Sequence, residues 1–332
     1  MSIALLGSGY WGKNLLRNFH SLGALGMVCD ASSEARERAR GIVQEVPIHD
    51  NVDPALRDPK ISAVVIATPA VTHFDLAKKA LAAGKDVFVE KPLALRLTEG
   101  NELVKLAHDR QRVLMVGHIL QYHPGLLKLK EMVDAGELGK IEYIYSNRLN
   151  FGKIRKEENI LWSFAPHDIS IMLWLIGAAP VQATAVGGSY LQPNVVDTTI
   201  STFLFPNGVR AHIYVSWLHP FKEQRLVVVG SKQMVAFNDQ APKGQKLLLH
   251  KKNISIVEGA MVAGKMEGVA VPYEYDREPL RAECEHFLKC IETRAKPRTD
   301  GEEGLRVLHV LDACQRSLEM SGQPVQLGEF HA

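Results

Sequence analysis

Five short apolar runs punctuate the first third of the chain: Ser2 to Leu6, Gly26 to Cys29, Ala63 to Ala67, Val87 to Val89 and Val113 to Val116. None of them alternates with polar residues, as expected for strands buried on both faces of a parallel sheet. Between them lie helical patterns at Lys13 to Leu22, Ser33 to Gln44, Thr72 to Ala83 and Thr98 to Gln111. Strand and helix in strict turn predict βαβ repeats, so residues 1–120 form a doubly wound α/β domain.

The pattern changes after His123. Lys140 to Phe151, Val181 to Leu191, Thr198 to Phe205, Val209 to Trp217, Arg225 to Phe237 and Lys246 to His250 favour β-branched and aromatic residues with polar interleaving. The links Phe205-Pro206-Asn207-Gly208 and Gly230-Ser231-Lys232 supply hairpin chemistry. A helix from Pro166 to Ile176, stopped by Gly177, interrupts the series, and helices over Pro279 to Arg294 and Gly301 to Met320 close it. Residues 121–332 therefore read as an α+β domain with a large, mostly antiparallel sheet that could pair face to face between subunits. The last helix is free to pack back on the first domain.

Composition narrows the partners. The 332 residues carry 39 Lys and Arg against 37 Asp and Glu, a net charge of +2, so nothing global recommends nucleic acid or an anionic membrane. Cys29, Cys284, Cys290 and Cys314 form no CxxC pair. They read as buried thiols of a reducing compartment rather than a zinc or disulfide framework. No apolar stretch approaches the roughly 20 residues of a membrane span, and the expected location is the cytoplasm. The histidines show no metal-ligand clustering, so no metal site is expected.

The first candidate chemistry lies at the start. Gly7-Ser8-Gly9-Tyr10-Trp11-Gly12 is GxGxxG between the first strand and first helix. Its glycines allow a tight turn, backbone approach to a pyrophosphate and close helix–strand packing. Asp30 ends the second strand roughly 18 residues past the last glycine, where an acid accepts ribose hydroxyls and repels a 2′-phosphate. A Rossmann domain binding NAD is expected, with Arg36 and Arg38 the reason to keep NADP in view.

Next comes Glu90-Lys91-Pro92 at the end of the fourth apolar run. A lysine after a strand ordinarily snorkels to the surface. The order GxGxxG, Ala67-Thr68-Pro69 with His73, Glu90-Lys91-Pro92 and Gly117-His118 resembles the glucose-fructose oxidoreductase / inositol dehydrogenase / MocA family over essentially the whole chain. That resemblance implies a catalytic Lys91 near the substrate hydroxyl and Glu90 on the nicotinamide ribose. It also implies Thr68, Pro69 and His73 lining the cofactor, with Gln121 near the nicotinamide. His167 fits the family's catalytic histidine, but Ser163 and Ser170 stand where aspartates are usual. The stretch Asn150 to Asp168 looks like one subgroup, the UDP-N-acetylglucosaminuronate 3-dehydrogenases of lipopolysaccharide sugar synthesis.

The reaction so implied is oxidation of a sugar 3-hydroxyl, with hydride passing to NAD. A lysine serves as base only if its pKa falls from about 10.4 toward neutrality, through burial and a nearby positive ring. Otherwise His167 is the base and Lys91 stabilises the developing alkoxide. A UDP-linked uronic acid would call for fixed cations, with Arg148, Lys153 and Arg155 the candidates beside Asn159, Ser163 and His167. A solvated loop of mixed charge is the other reading of Lys153 to Glu158. Another sugar or cyclitol dehydrogenase of the fold is the enzymatic alternative, and an NAD-binding regulator without turnover is the alternative of different class. A dimer or tetramer is expected from the resemblance.

Overall fold

The computed structural model describes residues 2–328 apart from 153, 156–157, 253, 258–259 and 265–266. In chain order the first elements are β1 (Ile3–Leu6), α1 (Gly12–Ser21), β2 (Leu25–Cys29), α2 (Ser33–Arg40), β3 (Ile48–His49), α3 (Asp53–Arg57), β4 (Ala63–Ile66), α4 (His73–Ala82), β5 (Asp86–Glu90), α5 (Leu97–Asp109) and β6 (Leu114–Gly117). They are followed by α6 (Pro124–Asp134), β7 (Ile141–Phe151), α7 (Ile160–Ile176), β8 (Gln182–Gly188), β9 (Thr198–Leu204), β10 (Arg210–Ser216), β11 (Leu218–Gly230) and β12 (Gln233–Asn238). The series ends with β13 (Leu247–Lys251), β14 (Ile254–Val257), β15 (Ala260–Ala263), β16 (Gly268–Ala270), α8 (Pro279–Thr293), α9 (Gly301–Glu319) and β17 (Val325–Gln326).

The chain folds as two units. The first takes Met1–Tyr122 together with Glu278–Leu308. Its six strands pair in parallel in the order β3-β2-β1-β4-β5-β6. Strand order reverses beside β1, and ligands of such sheets bind at the carboxyl ends of the strands there. The runs of β1 and β4 lie fully inside, which is why neither alternates. β3 and α3 escape sequence reading because two and five residues are too few to establish a period. Residues 278–308, which the division at 120 puts in the second domain, cluster with this first unit. The reason is the apolar face of α8: Phe287 packs edge-on against Phe19, with ring centroids 6.4 Å apart, and lies 5.6 Å from Phe88.

The second unit takes His123–Arg277 and His309–His331. Its nine-stranded sheet runs β16-β13-β12-β11-β7-β10-β9-β8-β17, antiparallel except for the pair β7 and β10. α7 covers β7, β9 and β10 on one face. Along β9 every second residue is buried, while Ile200 between them is exposed. The stretch expected as one strand from Arg225 is two, β11 and β12, turning at 231–232.

α7 corrects a boundary. Pro166 suits a first helical position, yet the helix begins at Ile160, where the Asn159 side chain accepts the Trp162 N–H at 3.2 Å. Pro166 thus sits inside the helix, and the loss of one hydrogen bond is tolerated. All four cysteines are buried. Among the described residues no helix is long and apolar enough to cross a membrane.

Candidate functional site

The glycine turn of the first unit owes its shape to steric exclusion. Gly7 has φ +92°, and a Cβ there would lie 2.9 Å from the Ala67 backbone. A Cβ on Gly12 would lie 2.1 Å from the Gly7 carbonyl oxygen, so β1 and α1 can approach only through glycine. A Cβ on Gly9, by contrast, would meet nothing within 4 Å. That opening faces the start of α1, which has no side-chain cap and no acid in its first turn. Open space, uncapped N–H groups and a helix dipole fit a dinucleotide pyrophosphate. Tyr10 and Trp11 complete the turn, Tyr10 largely exposed and Trp11 partly so.

Asp30 closes the opposite side. One of its oxygens accepts the Ser8 N–H at 2.6 Å and the Ser8 hydroxyl at 3.1 Å; the other accepts the Ser32 N–H at 2.9 Å. The carboxylate is therefore fixed against the glycine turn, where it suits ribose hydroxyls. Arg36 donates to the carbonyls of Asp30 and Ala31, both at 2.8 Å, which holds its guanidinium along the backbone.

At the end of β5, Glu90 is buried and Lys91 half-buried. The Trp11 indole N–H donates to Glu90 Oε1, joining the glycine turn to this strand end. Glu90 Oε2 accepts the Lys91 backbone N–H at 3.3 Å, and the carboxylate lies over Gly117, where a Cβ would come within 2.9 Å of it. The Lys91–Pro92 peptide is cis, the isomer accommodated almost only before proline. His73 is 1% exposed; its Nδ1 meets the Pro92 carbonyl at 2.8 Å and its Nε2 the Thr68 carbonyl at 2.9 Å. It thereby braces the Thr68-Pro69 loop against the Lys91 turn, with Thr68 also bonded to Thr72 at 2.7 Å.

Gln121 is buried behind this edge, its amide donating to Glu303 Oε1 at 2.9 Å. The other Glu303 oxygen meets His118 Nδ1 at 2.5 Å. Sequence reading missed Glu303 and a second buried acid, Glu283 of α8. The signal at Glu303 is the spacing Asp300-x-x-Glu303, a helix-start pattern in which Asp300 accepts the Glu303 N–H at 2.7 Å. Nothing in the sequence marks Glu283.

In the second unit α7 presents Ser163, His167 and Ser170 at successive helical turns of one face. Ser163 and Ser170 are buried and His167 half-buried. Arg148, expected as an anion binder, has a carboxylate of its own. Its Nε donates to Asp168 Oδ2 at 2.7 Å and its Nη2 to Oδ1 at 3.1 Å, and the Ser146 hydroxyl adds a bond of 2.6 Å. A guanidinium held in a buried fork has little left for a ligand. Arg155 pairs with Glu158 at 3.1 Å on a more exposed stretch. Asn159, besides capping α7, donates to Gln315 at 3.0 Å. Lys153 lies outside the described residues.

Comparison with known proteins agrees with this geometry. Residues 1–118 match a family profile described as "Oxidoreductase family, NAD-binding Rossmann fold", and residues 126–236 match one described as "GFO/IDH/MocA C-terminal domain". The UDP-N-acetylglucosamine 3-dehydrogenase of Acidithiobacillus ferrooxidans is 29% identical over 313 residues, covering 93% of this chain and 94% of its own. An inositol 2-dehydrogenase of Rhizobium meliloti is 28% identical over 334 residues, covering 95% and 96%. A solved structure of the Acidithiobacillus enzyme superposes with a TM-score of 0.84 at 27% identity, over 97% of this chain and 98% of that one.

Proposed function

We propose, from the premise that this chain belongs to the Gfo/Idh/MocA family of NAD-dependent oxidoreductases, that it oxidises the 3-hydroxyl of UDP-N-acetylglucosaminuronic acid to the 3-keto sugar. The observation that carries the choice of an anionic sugar is the His167 face of α7, where Ser163 and Ser170 stand in place of carboxylates. An acid on that face would repel a uronate at close range. Lys91 is assigned the proton-handling or alkoxide-stabilising role at the end of β5, and His167 the matching role on α7. Asp30 and the uncapped start of α1 hold the adenosine ribose and the pyrophosphate. NAD, when bound, supplies the hydride acceptor.

A second reading has its own support. Arg148 is neutralised by Asp168, which leaves Arg155 and Lys153 as the remaining candidates for a sugar carboxylate, and the Acidithiobacillus relative is named for UDP-N-acetylglucosamine, whose sugar carries no carboxylate. The substrate on this reading is the parent sugar nucleotide, oxidised at the same carbon. A keto product of either kind suits a following transamination, and a role in lipopolysaccharide sugar synthesis in the cytoplasm belongs to the same proposal. So does a dimer or tetramer built on the sheet face opposite α7, where the rings of Tyr145 and His212 stack 5.3 Å apart and Ile200 and Val186 are exposed.

The deciding experiment is NADH formation with UDP-N-acetylglucosaminuronate, UDP-N-acetylglucosamine, free glucose and myo-inositol, with the product's oxidised carbon located by NMR. Fastest turnover of the uronate is expected. Preference for the parent nucleotide establishes the second reading, and turnover of nucleotide-free sugars or cyclitols alone sinks both.

A further inference from the structure

Beneath the carboxyl end of β5 the first unit buries three carboxyl groups from three elements. Glu90 of β5 is 9% exposed, Glu283 of α8 0% and Glu303 of α9 5%. Glu90 accepts the Trp11 indole and the Lys91 backbone N–H. Glu303 is held by His118 and Gln121. Glu283 differs: among the described residues neither of its carboxyl oxygens has a hydrogen-bond partner. Further charged or titratable groups around them include Lys91, Asp300 at the start of α9, Tyr122, Cys284 of α8 and Arg298. The Tyr122 hydroxyl meets the Thr299 hydroxyl at 3.1 Å, and the Arg298 guanidinium lies 5.0 Å from the Tyr122 ring centre. Among the described residues no group of three acids, histidines or cysteines is arranged to hold a metal ion.

A fully buried carboxylate without a donor costs several kcal/mol, and such a group takes up a proton instead. Burial pushes Glu283 well above the usual carboxylate range, and the charges of Glu90 and Glu303 push the same way. Glu90 is raised as well, by burial, with the Trp11 hydrogen bond and the charges of Lys91 and His118 pulling it back. Two interacting acids both raised by burial do not both ionise here, so the proton belongs to the Glu90 and Glu283 pair rather than to one residue. Its position matters because Glu90 bonds directly to the dinucleotide turn through Trp11 and immediately precedes Lys91.

We propose that Glu90 and Glu283 share a buried proton whose occupancy follows the charge of the nicotinamide: binding of NAD, which is cationic at that ring, expels it, and binding of NADH retains it. The balance closes over turnover. An alcohol gives up a hydride, carrying two electrons, to NAD and becomes a ketone; the remaining hydroxyl proton then replaces the one the pair lost when NAD bound. That last step rests on the dehydrogenase reading above, whereas the test below needs cofactor binding alone and is indifferent to the sugar.

The test is calorimetric titration of the full chain with NAD and with NADH around neutral pH, in buffers of different ionisation enthalpy. Release of about one proton with NAD and near zero with NADH is expected, so that the NAD Kd falls about tenfold per pH unit where the pair titrates. In Glu283→Gln, a neutral isostere, the NAD-linked release should vanish while NADH affinity stays within about twofold; Glu283→Met, which leaves no polar group to bury, is the second variant should the first fail to fold. Lys91→Met separates the obvious competitor. Release that survives in Lys91→Met and is lost in Glu283→Gln supports the proposal. Release lost only with Lys91, or equal for the two cofactors, overturns it.

Discussion

Two buried acids, one in each unit, have opposite surroundings. Asp168 in the sheet unit receives a forked guanidinium and a hydroxyl, every bond short and well aimed. Glu283 in the dinucleotide unit receives no hydrogen bond among the described residues and faces the fields of two further acids. The first arrangement fixes a charge so that α7 stays registered on β7. The second leaves a proton loosely owned, which is of use only where charge changes during the working cycle. Burial alone does not separate a structural acid from a chemical one; the donors around it do.

Four measurements press on this contrast. The largest effect is expected from Lys91→Ala, with turnover falling about 10²- to 10⁴-fold while NAD binding by fluorescence titration is kept; full turnover would remove Lys91 from the chemistry. Asp168→Ala should cost about 3–5 kcal/mol in denaturant unfolding, because it leaves Arg148 buried and unpaired. A loss below about 1 kcal/mol would mean that the pair is not the structural charge described. Glu283→Gln should reverse sign with pH. A carboxyl raised in the folded state binds more protons there than when unfolded, so wild-type stability drops as pH climbs above the ordinary carboxylate range. The variant, having no such proton to lose, should show a flatter Tm profile on the alkaline side.

The smallest effect concerns histidines. Burial lowers His123 and His286 to about 4, so the unfolded chain binds more protons between about 6.5 and about 4 and stability falls as pH drops through that window. His286 must stay neutral to accept the Arg298 N–H at 3.0 Å. Its replacement by Gln should soften the acid decline by about 1 kcal/mol, measured as the slope of unfolding free energy against pH.

The two units were unequally legible in the sequence. The glycine turn, Asp30 and the Glu90-Lys91-Pro92 triplet are local, and each residue type there answers a local demand, such as the clash that forbids a side chain at Gly12. Asn159 also carried a local signal, since an asparagine before an apolar helix is an ordinary cap. The pairing of Arg148 could not be read from the sequence. Its partner lies 20 residues away on another element, and only the packing of α7 on β7 brings them together. Glu283 was hidden differently: in Glu283-Cys284-Glu285-His286 an acid on an amphipathic helix looks solvated, and nothing local says that this one turns inward.

The packing of Phe287 on Phe19 and Phe88 has a consequence in time. A ribosome delivers the first two rings early and the third only after eight of the nine strands of the second sheet have been made. Residues 1–122 must therefore wait with an apolar face uncovered while some 150 more are synthesised. Such an exposed intermediate is what chaperones hold. The nucleotide-binding half of this enzyme, first to emerge, cannot be finished until α8 has followed it.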